Sequence, residues 1–177
     1  MITESWYWKR PLLEMVERLT SLKTNNDLGE EQLAQVERDV FVGFYSVRKL
    51  YEAITKVTDA TRAMKARVVW HPNRHQVNWL NSHKLDELYD LGVSNVECRD
   101  VAFICGRIIH SFIFCPCLDE NGLAGIFFTS DTDKQSRIYY MGIDDVINIF
   151  VRVGNDDPSS IHWQRDDETG KESITVK

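Results

Sequence analysis

Residues 105 to 117 read CGRIIHSFIFCPC, a stretch that holds three of the chain's four cysteines and one of its five histidines. Thiolates and imidazoles bind metals, so Cys115 and Cys117, with Cys105 or His110 as further ligands, are the first chemistry to weigh. Two apart on a strand, Cys115 and Cys117 face the same way, but a strand holds their Cβ atoms roughly 6 to 7 Å apart. Zinc knuckles instead use a turn to bring two sulfurs together, and free cysteine is among the most buried residue types. We therefore read these as core thiols and expect no metal. A Cys105–His110 dyad also fails, because five positions on a helix separate side chains by about 140°. There is no P-loop, no GxGxxG after a strand and no GxSxG, so no cofactor is expected.

Arg107 and His110 are three apart near a helix C-terminus, where a cation is favoured by the helix dipole. Such a pair can hold a phosphate, with the histidine as acid or base in RNA cleavage, or it can hydrogen-bond terminal carbonyls or a neighbouring acid. His71 and His75 have the HxxxH spacing of a metal pair, but Pro72 between them removes the helix that gives that spacing its meaning. The same region is also a basic stretch. RAMKARVVWHPNRHQVNW interleaves cations with Trp70 and Trp79, and Arg62, Lys65, Arg67, Trp70, His71, Arg74 and His75 form a candidate nucleic-acid set. Cations there would serve phosphates and exposed rings would stack on bases. The acidic pairs Asp131/Asp133, Asp144/Asp145, Asp156/Asp157 and Asp166/Asp167 fall at expected turns or helix starts, where Asp belongs for backbone reasons.

The segment Ile104-Cys-Gly-Arg-Ile-Ile-His-Ser111 resembles the end of the last long helix of HEPN domains, and Val40 to Ala53 resembles the long helices of such bundles. The resemblance spans about residues 30 to 111. It implies a prokaryotic toxin–antitoxin or phage-defence setting, often a dimer and often a metal-independent ribonuclease whose motif is an arginine, often followed by Asn, with four to six residues between it and a histidine. His110 aligns with that histidine. The arginine should stand near 103 to 105, where this chain has Phe103, Ile104 and Cys105; Arg107 is too close and Arg99 too far.

The elements that position these residues can be read from the pattern. At 177 residues the chain suits one domain, taken as 1–177, with a mainly helical part over 1–110 and a β-rich part over 111–177. The residues MITESWYWKRPLLEMVERL, with acids near their start and no apolar run, do not read as a secretory signal, no apolar run is long enough for a membrane span, and the four cysteines are expected as reduced thiols in a cytoplasm. The charge of −6 is C-terminal: 15 Lys+Arg balance 15 Asp+Glu up to His110, and 6 face 12 beyond it. Between Arg48 and Lys84 the segment is +6, with 8 basic residues against 2 acids.

Apolar spacing predicts a helix over 10–23, and an Asp27/Glu30 capping box opening a long helix to about 56, roughly 40 Å in length. A short strand is expected at 67–70, a Ser82-capped helix ending at Gly92, and a helix over 95–110 opened by a Ser94/Glu97 box. A strand over 112–118, a turn at 119–122 with its Asn-Gly signal, and strands over 123–129 and 137–141 make a meander. Asp144 caps a helix stopped by Gly154, and 161–165 with 173–176 close a hairpin. The fold class is α+β: an N-terminal helical bundle with a long central helix, then an antiparallel β-meander, one helix and a C-terminal hairpin.

These readings favour a protein that acts by binding, an accessory or regulatory component with a protein partner, forming a possible homodimer and reaching nucleic acid through 48–84. The alternative is a HEPN-like endoribonuclease using His110 with Arg107 or Arg99.

Overall fold

The computed structural model describes residues 2–167 and 169–177. Helix α1 (Trp6–Leu22) buries Leu12, Met15 and Leu19, the stripe its spacing sets out, and carries Pro11 in its second turn rather than its first. Helix α2 (Glu30–Glu52) buries Val36, Val40, Phe44, Val47 and Tyr51 along the expected seam. Its start corrects the sequence reading. Gly29 is the N-cap, and its backbone N–H donates to Gln32 Oε1 at 3.1 Å; Asp27 instead donates its own N–H to Asn25 Oδ1. The helix ends at Glu52, so its 23 residues span about 34 Å. Ile54, the last residue of the expected seam, is exposed.

One turn of helix, α3 (Asp59–Arg62), leads into β1 (Lys65–Pro72), longer than the strand expected over 67–70. Residues 73 to 93 form an arm whose only helix is the single turn α4 (Leu85–Leu88), where a helix from Ser82 to Gly92 was expected. The largest correction follows. Residues 95 to 110 are not one helix: β2 (Asn95–Asp100) pairs antiparallel with β1 over six residue pairs, and α5 (Val101–Ile109) starts after it. Asp100 is the cap of α5, accepting from the Phe103 N–H at 2.7 Å. The stripe Val101, Ile104, Cys105 and Ile108 is buried as expected.

Strands β3 (Ser111–Leu118), β4 (Leu123–Ser130) and β5 (Arg137–Gly142) form the meander, and α6 (Ile143–Gly154) follows with Gly142, not Asp144, as its N-cap. The C-terminal hairpin pairs β6 (Ile161–Arg165) with β7 (Glu172–Val176). Backbone bonds from Ser159 and Ser160 to the Lys177 carbonyl, and from Val176 N–H to Asp59 Oδ2 at 2.9 Å, tie it down.

The five-stranded sheet has the order β2-β1-β5-β4-β3, antiparallel throughout. The two strands the chain makes before its meander thus join the meander through β1 and β5. Both lie inside residues 1–110, the part expected to be mainly helical. Side chains alternate across the sheet. Val68, Ile126, Phe128, Tyr139 and Met141 face the helical layer and share one core with residues of α1, α2, α5 and α6. On the other face, Ile113 and Ile138 are covered by Val77, Leu88 and Tyr89 of the arm, a second and smaller core. No described helix is long and apolar enough to cross a membrane.

Candidate functional site

The end of the sheet where α5 gives way to β3 gathers side chains from four segments. Arg107 lies in the last turn of α5 and His110 is its C-cap, exposed to solvent. Arg107 is already engaged: Asp133, in the loop between β4 and β5, places a carboxylate oxygen 2.7 Å from Nε. That oxygen lies off the N–H direction, so the contact is ionic rather than a directed hydrogen bond. Arg107 Nη1 donates to Thr132 Oγ1 at 3.2 Å. Ser130 Oγ, 2.9 Å from Thr132 Oγ1 and 3.2 Å from Asp133, completes the loop's network.

Arg99 was expected on the same helix as Arg107; the structure puts it on β2, paired with Glu97 of its own strand at 3.3 Å. The fold nevertheless brings the two arginines to one ring, with their guanidinium carbons 4.0 and 4.8 Å from the centre of Phe103. Behind Phe103, Tyr139 meets it edge-on at 5.9 Å. Burial, with Asp133 nearby, pushes the Tyr139 phenol above its ordinary pKa.

The arm contributes what the sequence reading undervalued. Asn78-Trp79-Leu80-Asn81 is a turn stapled by its own asparagines: Asn81 Oδ1 accepts from Asn78 N–H at 2.8 Å, Asn78 Oδ1 accepts from Leu80 N–H at 2.9 Å, and Asn81 Nδ2 donates to the Gln76 carbonyl at 2.8 Å. The turn displays Trp79 and Leu80 at 81% and 87% exposure. It is also clamped to the sheet. Gln135 forms a two-way bridge with Val77, accepting from its N–H at 3.0 Å and donating to its carbonyl at 2.7 Å, while Tyr89 Oη donates to the Lys134 carbonyl at 2.9 Å. Trp79 rests against Phe112 at 4.6 Å between ring centres, and the Lys134 ammonium lies 3.6 Å from the centre of Phe112. Asp131, itself exposed, pairs with that ammonium.

The basic set does not converge in the same way. Arg67 and His71 point to the opposite sheet face from Trp70, because they differ by odd steps along β1. His71 is buried with Nδ1 2.9 Å from the Val93 carbonyl oxygen. Trp70 carries Arg137 over its ring at 4.4 Å. Arg74 pairs with Asp90 at 2.7 Å, and that guanidinium holds the Asp90 carboxyl below its usual range. Arg62 donates to the carbonyls of Ile54 and Val57. Lys65, Arg67 and His75 are exposed. The seven residues are therefore spread over both sheet faces and the arm.

The cysteines divide by strand and burial. Cys105 is fully buried, and its desolvation pushes the thiol up to about 12. Cys115 and Cys117, expected as core thiols, sit half-buried on the edge strand β3. Among the described residues, no group of three or more His, Cys, Asp or Glu side chains is placed to share a metal ion.

Comparison with models of protein families, with curated proteins and with solved structures finds no significant match for this chain.

Proposed function

We propose that the chain is a binding protein that docks a partner protein through the Trp79–Leu80 turn. One observation carries this reading: two large apolar side chains stand almost fully in water on a turn held by its own asparagines and by Gln135. Single exposed apolar residues are ordinary, but an adjacent Trp and Leu held rigid beside Phe112 form an anchor of the kind that dominates interfaces. A fixed turn loses little conformational freedom on binding, so more of the burial energy reaches affinity. Burying the two side chains supplies on the order of 3 to 6 kcal/mol. Lys134 and Asp131, beside Phe112, supply a polar rim. The HEPN resemblance supplies the setting, an accessory or regulatory component of a prokaryotic toxin–antitoxin or defence system.

The test compares wild type with a Trp79→Ser/Leu80→Ser variant in affinity capture and in sedimentation, using Tyr7→Ser as the control. Tyr7 is comparably exposed, on α1. A partner or a self-association lost only in the Trp79/Leu80 variant supports the reading; equal behaviour of all three proteins refutes it.

The convergence of Arg99 and Arg107 on Phe103, with His110 exposed one turn beyond Arg107, supports a second reading as a HEPN-like ribonuclease. RNA cleavage in the presence of chelator, lost in His110→Ala, would establish that reading, and the absence of cleavage by wild type would exclude it.

A further inference from the structure

On the opposite flank of α5 from Arg107, a cleft of about 390 Å³ opens between α5 and the C-terminal turns of α2. Ala102 and Gly106, four apart on α5, form its floor; Tyr51, Arg48 and Glu52 of α2 and Arg62 of α3 form its walls. Gly106 is the feature to explain. Glycine inside a helix costs about 1 kcal/mol relative to alanine and is usually tolerated for close packing. Here a Cβ at Gly106 would meet no atom within 4 Å, so close packing is not the reason. A Cβ there would point into the open space of the cleft.

The walls set the chemistry. Tyr51 spends its hydroxyl on the Thr61 carbonyl at 2.7 Å, so it offers the cleft a ring rather than a donor. Arg62 is pinned in place through Nη2, which donates to the Ile54 carbonyl at 2.7 Å. Arg48 engages Glu52 through Nε at 2.9 Å, which leaves its terminal nitrogens to face a ligand. Glu52 is the only acid among the lining residues, and it is shared with Lys49 at 2.8 Å. Two guanidiniums above an apolar trough match an anionic group carried on an apolar body.

We infer that the Arg48–Arg62 cleft binds a small molecule bearing one phosphate or carboxylate on an aromatic or aliphatic body, with the body lying over Ala102 and Gly106. This site is independent of the Trp79–Leu80 turn, which belongs to the arm.

Phenyl phosphate is the probe, with benzoate, phenol and inorganic phosphate beside it, titrated into the ¹⁵N-labelled full chain. Phenyl phosphate should shift the amides of residues 48–52, 62 and 102–106, with a dissociation constant of about 1 mM or tighter. Phenol and inorganic phosphate, each lacking half of the ligand, should bind at least tenfold more weakly. Tighter binding of phenyl phosphate than of benzoate assigns a phosphate; the reverse assigns a carboxylate. Arg48→Gln should weaken binding about tenfold, the loss of one charge-assisted hydrogen bond. Gly106→Leu should fill the trough and abolish binding, and Gly106→Ala, which keeps the helix whatever leucine does, should weaken it by a smaller factor. Glu52→Gln should tighten binding by freeing Arg48. The inference is overturned by an absence of saturable shifts in wild type, by shifts centred elsewhere, or by affinity indifferent to both Arg48→Gln and Gly106→Ala.

Discussion

Two helical glycines, Gly43 in α2 and Gly106 in α5, allow one substitution to be tried in opposite surroundings. A Cβ at Gly43 would lie 2.3 Å from Phe150 Cζ and 2.5 Å from its Cε2, against the roughly 3.5 Å or more that carbon atoms keep. The ring would have to retreat by about 1 Å, and it has little room. Phe150 is fully buried and packs edge-on against Phe44 at 5.2 Å. Overpacking of this kind costs about 1 to 3 kcal/mol, while replacing a mid-helix glycine by alanine returns about 1 kcal/mol. Gly43→Ala should therefore range from nearly neutral to about 2 kcal/mol less stable. Gly106→Ala collects the helix gain with no clash, and should be up to about 1 kcal/mol more stable. The helix term cancels in the difference, which leaves about 1 to 3 kcal/mol of packing. Urea denaturation of both variants reads it directly. In melting temperature each kcal/mol is worth about 2 to 4 °C for a chain of this size. A second arm isolates the cause: Phe150→Leu removes the ring atoms that clash, so its effect should be non-additive with Gly43→Ala by at least about 0.5 kcal/mol. If Gly43→Ala is as stable as Gly106→Ala, or if the two changes at 43 and 150 simply add, the packing described between α2 and α6 is wrong.

Four further outcomes are expected. Under native conditions an Ellman titration should modify the exposed Cys98 first and Cys115 and Cys117 slowly, and leave Cys105 unmodified until the chain unfolds, because thiolate is the reacting form and burial raises the Cys105 thiol to about 12. The same shift has a sign in stability: above about pH 9 the unfolded chain loses the Cys105 proton while the folded chain keeps it, so stability should fall with rising pH by up to about 1.4 kcal/mol per unit, and Cys105→Ala should flatten that slope. Arg18→Met leaves the buried Asp39, which now accepts from Arg18 Nε at 2.8 Å and Nη2 at 2.9 Å, with Gln35 as its remaining side-chain donor. Because Arg18 is itself half-exposed, the loss should be about 2 kcal/mol rather than the full cost of an orphaned buried charge, as measured by urea denaturation. Gln135→Ala removes the bridge to Val77 without touching Trp79 or Leu80; amide exchange at Val77 should accelerate about tenfold or more, and partner capture should weaken with global stability nearly unchanged. Capture unaffected by the loosened arm would show that rigidity of the turn is not what the interface uses.

The α2 seam and the meander were legible because each needs only one periodicity. Val36, Val40, Phe44, Val47 and Tyr51 repeat at 3 to 4 residues and all are buried. Asn121-Gly122 marks a turn whose glycine has φ of 145°, where its missing Cβ lies against the Leu22 and Asn25 carbonyls of another segment. Residues 95–100 were misread for a physical reason. Val96 and Cys98 are exposed on an edge strand, so no apolar alternation marks it; half-buried Asn95, Glu97 and Arg99 are polar. What makes the strand is its register with β1, Val68 opposite Glu97 and Val69 opposite Val96, and a local pattern holds no trace of a partner thirty residues away. Ser94 and Glu97 had the form of a helix cap, while the working cap, Asp100 on the Phe103 N–H, stood six residues on.

The candidate site shares that origin. Arg107 and His110 could be found by spacing, but the ring that draws Arg99 to Arg107 depends on β2 being a strand, and the exposure of Trp79 depends on the arm folding back over Ile113 and Ile138. One signal was available in the chain itself. Asn-Trp-Leu-Asn places a turn-forming residue on each side of two apolar ones, and asparagines whose side chains bond the turn's own backbone, at Asn78 and Leu80, need no help from the core. An apolar pair inside such a bracket is held outward by its flanks, which is a different expectation from an apolar pair inside a helical or alternating pattern. The clamp from Gln135 adds the part that only the fold can supply, because it joins the arm to the β4–β5 loop across 58 positions of chain. The turn chemistry sets the conformation of Trp79 and Leu80, and the long-range bridge sets where on the protein they stand.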